Sequence, residues 1–304
     1  MAIHKNLIAV IPCLFLTGNI YCQKYVDVAK FYYGNSSLNK FENSKVSTQI
    51  KELGLELTIP IVVNPTEAIL TGLIYERIQT KLFETEPETT VSVLGLRAGL
   101  SKKHSDKWSG TYVLIPKLAS DFDHIGSKDF QLGFLALLKY ANDTNKNYKL
   151  GIYYNSELFG PFIVPLFGIY YLSPDKKFET NLTLPFLADI NYKLHDRVNA
   201  GINFNGQVRS YHLTNVPSTN EAGYMVKATN ELFGYLKFNL NENLSIYTRL
   251  GYSVGRSFRV YDEDDKISFG TILIKVGDDR QQLNTDFSDG FVYQVTMQYR
   301  FITE

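Results

Sequence analysis

Cysteine is nearly missing from this chain: Cys13 and Cys22 are the only two among 304 residues. Once a leader spanning both is removed, no thiol remains, which excludes a disulfide framework, a thiolate metal site and a cysteine nucleophile. Beyond residue 22 no apolar run approaches the roughly 18 residues of a membrane-spanning helix. Net charge is missing as well, with 31 basic against 31 acidic residues, so no overall field draws the chain to nucleic acid. There is no phosphate-binding glycine loop, no metal-spaced histidine cluster and no G-x-S-x-G turn.

What is present points elsewhere. Lys5 precedes the ten-residue apolar run Leu7 to Leu16, and Thr17, Gly18 and Asn19 break it. That layout predicts a secretory signal peptide over residues 1–22, cleaved near Cys22 and Gln23, leaving one exported domain over 23–304. Tyr21 argues against lipidation of Cys22, which needs small residues before the cysteine. The 21 Tyr and 20 Phe residues, the export signal and the lack of a helical span together indicate a closed barrel, since lipid tolerates no unpaired backbone.

The stretch Phe291 to Phe301 carries this pattern most cleanly. Phe291, Tyr293, Val295, Met297, Tyr299 and Phe301 alternate with a set that is mostly polar, Gln294, Thr296, Gln298 and Arg300 among them. Alternation puts the two sets on opposite faces of a strand, and roughly 9–11 residues suffice for a tilted strand to cross a bilayer. The same rule runs through Leu53–Ile61, Leu94–Leu100, Phe130–Tyr140, Val198–Val208, Leu232–Leu240 and Leu244–Val254, while Trp108 opens a strand where an interfacial belt would hold it. Pro161 and Pro165 predict an interrupted backbone near the 159–161 corner.

Short turns at 64–66, 102–107, 142–147, 173–176, 194–197 and 241–243 belong at one end of a barrel, alternating with longer connectors at the other. Two turns at the same end need two crossings between them, so Phe178 to Leu194 must fold back at Pro185–Phe186. Counted so, with 262–290 as the last external loop, the chain is all-β, a transmembrane antiparallel up-and-down barrel of fourteen strands. The first strand reads as short, Val26 to Tyr33, followed by a polar loop from Gly34 to Ser44. If that strand and one other do not span, the count is twelve.

The runs K-W-S-G-T-Y-V-L-I-P-K-L-A-S-D-F (107–122), Y-N-S-E-L-F-G-P-F (154–162), V-G-R-S-F-R-V-Y-D-E-D-D-K (254–266) and G-D-D-R-Q-Q-L-N-T-D-F-S-D-G (277–290) resemble an uncharacterised outer-membrane β-barrel family of Gram-negative bacteria. The resemblance covers essentially the whole exported part. It implies the fold and an outer-membrane location, and it brings no catalytic residues. The terminal Y-R-F (299–301) is similar to the signal read by barrel-assembly machinery, with Ile302, Thr303 and Glu304 as a departure.

Two constellations could carry chemistry. The inward set is Glu52, Glu56, Arg97, Lys139, Asp189, Asn203, Arg209, Glu231, Lys237, Arg249 and Arg300. Such groups either line a channel or pair into networks that fill it, and their mixed signs predict no strong ion selectivity. The external acidic set is Asp262, Glu263, Asp264, Asp265, Asp278 and Asp279. It could hold a hard cation, although its spacing is not that of a calcium loop and Arg256, Arg259 and Arg280 stand near to pair with it. His212 reads as an outward residue at the rim.

These features predict passive transport of a small solute through a narrow pore, with 262–290 folding inward to narrow it. The alternative is a non-conducting scaffold whose loops bind a partner, and a membrane-embedded hydrolase comes third. The sequence implies no cofactor, outer-membrane lipid and barrel-assembly machinery as partners, no nucleic acid, and no named solute.

Overall fold

A computed structural model describes residues 25–272 and 274–302. The expected signal peptide, both cysteines, Thr303 and Glu304 lie outside the described residues.

The wall runs in chain order from β1 (Tyr25–Lys40), β2 (Ser47–Asn64), β3 (Glu67–Thr80) and β4 (Thr89–Lys103) to β5 (Trp108–Ser120) and β6 (Phe130–Asp143). It continues through β7 (Lys146–Glu157), β8 (Gly160–Leu172), β9 (Phe178–Thr183), β10 (Leu187–His195), β11 (Val198–Val216) and β12 (Glu221–Asn239). β13 (Leu244–Ser253) and β14 (Ser257–Asp262) are two halves of one strand, since both pair with β12. A small hairpin, β15 (Phe269–Gly270) and β16 (Lys275–Val276), interrupts the last loop, and β17 (Phe291–Ile302) pairs with both β13 and β1. The ring therefore closes on fourteen antiparallel strands, and the twelve-strand alternative falls. In the inner half closure leaves no edge of unpaired N–H and C=O groups, which lipid would not tolerate.

β1 is twice the expected length. It continues past Gly34 because its second half is polar on the inward side, where Ser36 and Asn39 receive Arg256 Nη1 and Nη2 at 2.9 and 2.5 Å. A bulge between Ser36 and Asn39, with Leu38 at φ 63°, breaks the alternation that would have marked it as strand. The fold-back at residues 184–186 is present as expected, between β9 and β10.

On β17 the outward Phe291 is 69% exposed while the inward Thr296 is fully buried. Leu96, Leu114, Leu150, Ile202, Leu232, Leu236 and Leu250 continue this exposed apolar belt around the barrel. At the short-turn end, the inner end below, Trp108 packs on Tyr140 with ring centroids 5.0 Å apart and Tyr171 on Phe178 at 6.4 Å. Rings of this kind mark where a belt meets water.

The outer end departs from a plain cylinder. β9 and β10 have only 6 and 9 residues, whereas β11 and β12 have 19 each. β11 pairs with β10 up to Asn205 and then leaves the wall. Its end meets β5 across the barrel, in a parallel bridge between His212 and Ser120 with Asp121 N–H donating to His212 O at 3.0 Å. Thr214 N and Oγ1 donate to the Asp121 carboxylate at 2.7 and 2.9 Å. The β11–β12 hairpin thus lies inside the outer half with both faces covered. Tyr211, Leu213 and Met225 pack on Ile50, Ile78, Val91, Val93 and Ala119, together with Phe258, Val260 and Phe287. On the opposite face Tyr224, Val226 and Val208 pack on Phe162, Val164 and Leu166 of β8.

Candidate functional site

Below this apolar layer the barrel interior is polar. One cavity of about 160 Å³ is lined by Glu52, Glu56, Arg97, Arg209, Glu231 and Arg249, with Lys30, Tyr32, Glu76 and Lys227. A neighbouring one of about 170 Å³ holds Asp189, Asn203, Lys237 and Arg300, and shares Lys30, Asn205 and Arg249 with the first. Lys139 stands apart, in a third cavity of about 240 Å³ at the inner mouth beside Lys149. Of the eleven residues read from the sequence as inward-facing, ten border these two adjoining cavities and Lys139 borders the third.

The charges are arranged in pairs. Glu56 binds Arg97 at 2.7 Å and Lys30 at 3.6 Å. Lys227 meets Glu52 at 2.7 Å, and Arg300 meets Asp27 at 2.6 Å. Asp189 accepts from Tyr235 Oη at 2.7 Å, and Arg249 donates to Gln294 at 2.8 Å while its guanidinium lies 5.1 Å from the Tyr247 ring. The first cavity presents five cations (Lys30, Arg97, Arg209, Lys227, Arg249) and four carboxylates (Glu52, Glu56, Glu76, Glu231), a near balance that favours neither sign of ion.

At the boundary between polar and apolar halves sits Glu76, 4% exposed. It accepts from Tyr211 Oη at 2.5 Å and Tyr32 Oη at 3.0 Å, and Arg209 Nη1 lies 3.0 Å away. Gly54 makes this possible: a Cβ there would fall 2.2 Å from the Tyr32 ring, so only glycine lets the ring lie across β2 and reach Glu76. A second buried group surrounds Ser210, where β11 has no strand on the edge away from β12. Glu157 accepts from Ser210 N at 2.7 Å and Gln131 donates to Ser210 O at 3.0 Å. Asn155 bonds both Glu157 and Gln131, and Lys117 lies 3.6 Å from Glu157.

Sequence reasoning does not single out Glu76, Lys227, Tyr32, Lys117 or Glu157. Lys227, Thr229 and Glu231 do alternate, but the apolar residues on both sides of Tyr224–Val226 hide that signal.

The acidic loop residues are placed singly. Glu263 pairs with Lys128 at 3.0 Å, and this hydrogen bond raises the Lys128 pKa. Asp262 accepts from Asp264 N at 3.0 Å, and Asp265 accepts from Gln281 N at 3.1 Å. Asp278 takes both Nε and Nη2 of Arg280, at 2.7 and 3.0 Å, which holds its carboxyl below the usual range. Asp279 is exposed. Among the described residues no group of three acidic, His or Cys side chains could hold a metal ion. The loop shares the packed layer with the infolded hairpin: it contributes Leu283, Phe287 and the buried Asn284, which bonds Leu82 O and Phe258 O, while Tyr211, Leu213, Val216 and Met225 come from the hairpin. His212 does lie on the outward strand face, but the infolding buries that face, and its Nδ1 sits 2.7 Å from Asp129. His104 bonds Tyr112 Oη at 3.0 Å. Neither forms the Ser–His pair a hydrolase would use.

None of the curated proteins matches this sequence. Among solved structures, the COG4313 outer membrane channel from Pseudomonas putida F1 is similar at 8% identity and a TM-score of 0.48, over 94% of this chain and 100% of that one. A Pseudomonas aeruginosa FadL homologue is similar at 11% identity and a TM-score of 0.42, over 89% of each. The translocator domain of the autotransporter NalP from Neisseria meningitidis gives 10% and 0.35, over 91% of this chain and 89% of that one. Residues 19–294 match the family model described as Domain of unknown function (DUF6268), and the chain, a fourteen-stranded β-barrel, belongs to that family.

Proposed function

We propose that the chain is an outer-membrane barrel for passive passage of a small solute, with its outer end held shut by its own β11–β12 hairpin. One observation carries the reading. The inner half keeps adjoining charge-lined cavities that side chains do not fill, whereas the outer half is closed by a continuous apolar layer. A barrel serving only as a scaffold has no need of unfilled polar volume, and a fourteen-stranded ring is wider than the eight-stranded one that side chains fill. The near balance of charge supports weak ion selectivity.

The test is conductance in planar bilayers of the purified, folded protein. The intact chain is expected to conduct little. A variant in which residues 210–226 are replaced by a short turn is expected to show a steady, weakly selective current. Deleting 264–285 alone should change conductance less, because Tyr211, Leu213, Val216 and Met225 of the hairpin stay in the packed layer. If the hairpin-deleted barrel still folds and passes no ions or solute, the transport reading fails. The sealed outer end then favours the second reading, a non-conducting scaffold with binding loops.

A further inference from the structure

The wall is incomplete on one side. β9 and β10 turn back at residues 184–186, and beyond the bridge between Phe167 and Leu184 the edge of β8 has no wall strand beside it. Pro165, which has no N–H to donate, lies on that edge. β11 has meanwhile left for the interior, so a notch opens between β8 and the outward face of β11–β12. Into it the last loop sends the β15–β16 hairpin. β15 joins β8 through a parallel bridge from Gly270 to Phe162, and Ile267 N donates to Phe159 O at 2.8 Å. The hairpin tip is closed by Thr271 N to Ile274 O at 2.7 Å. Its side chains Ile272, Ile274 and Val276 are exposed, which is costly for a rim loop in water and natural for one that completes an apolar belt.

Behind the hairpin lies a cavity of about 180 Å³, lined by Phe162, Val208, Val226, Ala228, Tyr261 and Ile272, with Ser257, Thr271 and the ion-paired Arg259 and Lys275 on its polar side. Val208, Val226 and Ala228 sit on the strand faces that, nearer the inner end, present Phe204 and Leu232 outward, so the cavity continues the belt. Arg280 caps it on the outer side, 4.3 Å over the Tyr261 ring. An apolar cavity of about 150 Å³ accommodates benzene, so this one has room for several methylene groups. We propose that it takes an acyl chain of the surrounding bilayer, entering through the notch, with the β15–β16 hairpin as the lid over it.

The inference rests on the membrane placement proposed above, and one experiment separates the two. In the full chain carrying Trp108→Phe, which removes the single tryptophan, three reporters are introduced one at a time: Tyr293→Trp on the belt, Phe162→Trp at the cavity and Ile78→Trp in the packed layer. Each is reconstituted in phosphatidylcholine vesicles brominated along the acyl chain. The expected result is strong quenching at 293, clear quenching at 162 and none at 78. Adding Ala228→Leu, or independently Val208→Phe, should fill the cavity and bring the 162 signal down to that at 78. Heat-modifiable gel mobility confirms folding of each variant. A 162 reporter no more quenched than 78, or one indifferent to both filling substitutions, overturns the proposal. A dark 293 reporter would instead overturn the membrane placement.

Discussion

Replacing Glu76 by Leu should destabilise the barrel more than any other single change in the lumen. Among the described residues Glu76 is the only acid within ion-pair reach of Arg209, and it also receives the hydroxyls of Tyr32 and Tyr211. Removing one partner of a buried pair costs about 3–5 kcal/mol, because the other charge stays buried without compensation. Two tyrosine hydroxyls left unpaired would add about 1–3 kcal/mol each if the effects were independent. They are not independent, since all four groups share one site, so the pair figure sets the expected size. The Glu76→Leu/Arg209→Met double variant removes both charges and should recover most of the loss, since an apolar pair of similar volume is often neutral. Urea unfolding in vesicles, followed by Trp108 fluorescence and by heat-modifiable mobility, measures both. A Glu76→Leu cost under about 1 kcal/mol, or a double variant as unstable as the single, would refute the view that Glu76 is the buried partner that compensates Arg209.

Leu236→Arg on the belt should cost roughly 2–4 kcal/mol near mid-membrane, whereas Asn205→Arg, which points into the two shared cavities, should cost little; equal costs would invert the assignment of faces. Thr296→Pro should abolish the folded band, because Thr296 is paired on both sides, to Tyr32 and to Tyr247; normal mobility would contradict ring closure through β17. The Asp278–Arg280 contact should be pH dependent. Its carboxyl pKa is lowered in the folded state, so the contribution is present above the unfolded value of about 3.9 and is lost as pH falls through the lower folded value. Hydrogen exchange over 275–282, corrected for intrinsic rate, should therefore stay slow at neutral and mildly acidic pH and accelerate only below that range.

Much of the wall was legible because lipid outside and polar groups inside impose a period of two. Parity of the short turns located even the fold-back at Pro185. The outer half was not legible for a related reason: beyond the belt the period survives but its polarity reverses. On β3 the outward residue is Arg77 and the inward one Ile78, and on β2 they are Lys51 and Ile50. A strand that is apolar outside at one end and apolar inside at the other averages to no pattern, so the sequence of β3 does not single out Glu76. In the β11–β12 hairpin both faces are covered, so Tyr224, Met225 and Val226 form an unbroken apolar run. The lumen charges could be read singly, but their pairing depends on ring geometry that brings β3 to β11.

The hand-over of β11 from β10 to β5 bears on how the molecule could move. The ladder between β11 and β12 continues without a break from the wall into the interior, so the hairpin is a stiff tongue rooted in the barrel. Its seat inside is of another kind: apart from the backbone bond from Asp121 N to His212 O, it consists of apolar contacts on both faces and side-chain bonds around Ser210, Thr214 and Tyr211, while β14 travels with β12 through their shared ladder. Withdrawing the tongue severs that seat and leaves every rung of its own ladder intact. The pivot falls where β10 lets go, at Asn205 and Gly206 of β11 with their partners Glu231 and Asn230 of β12.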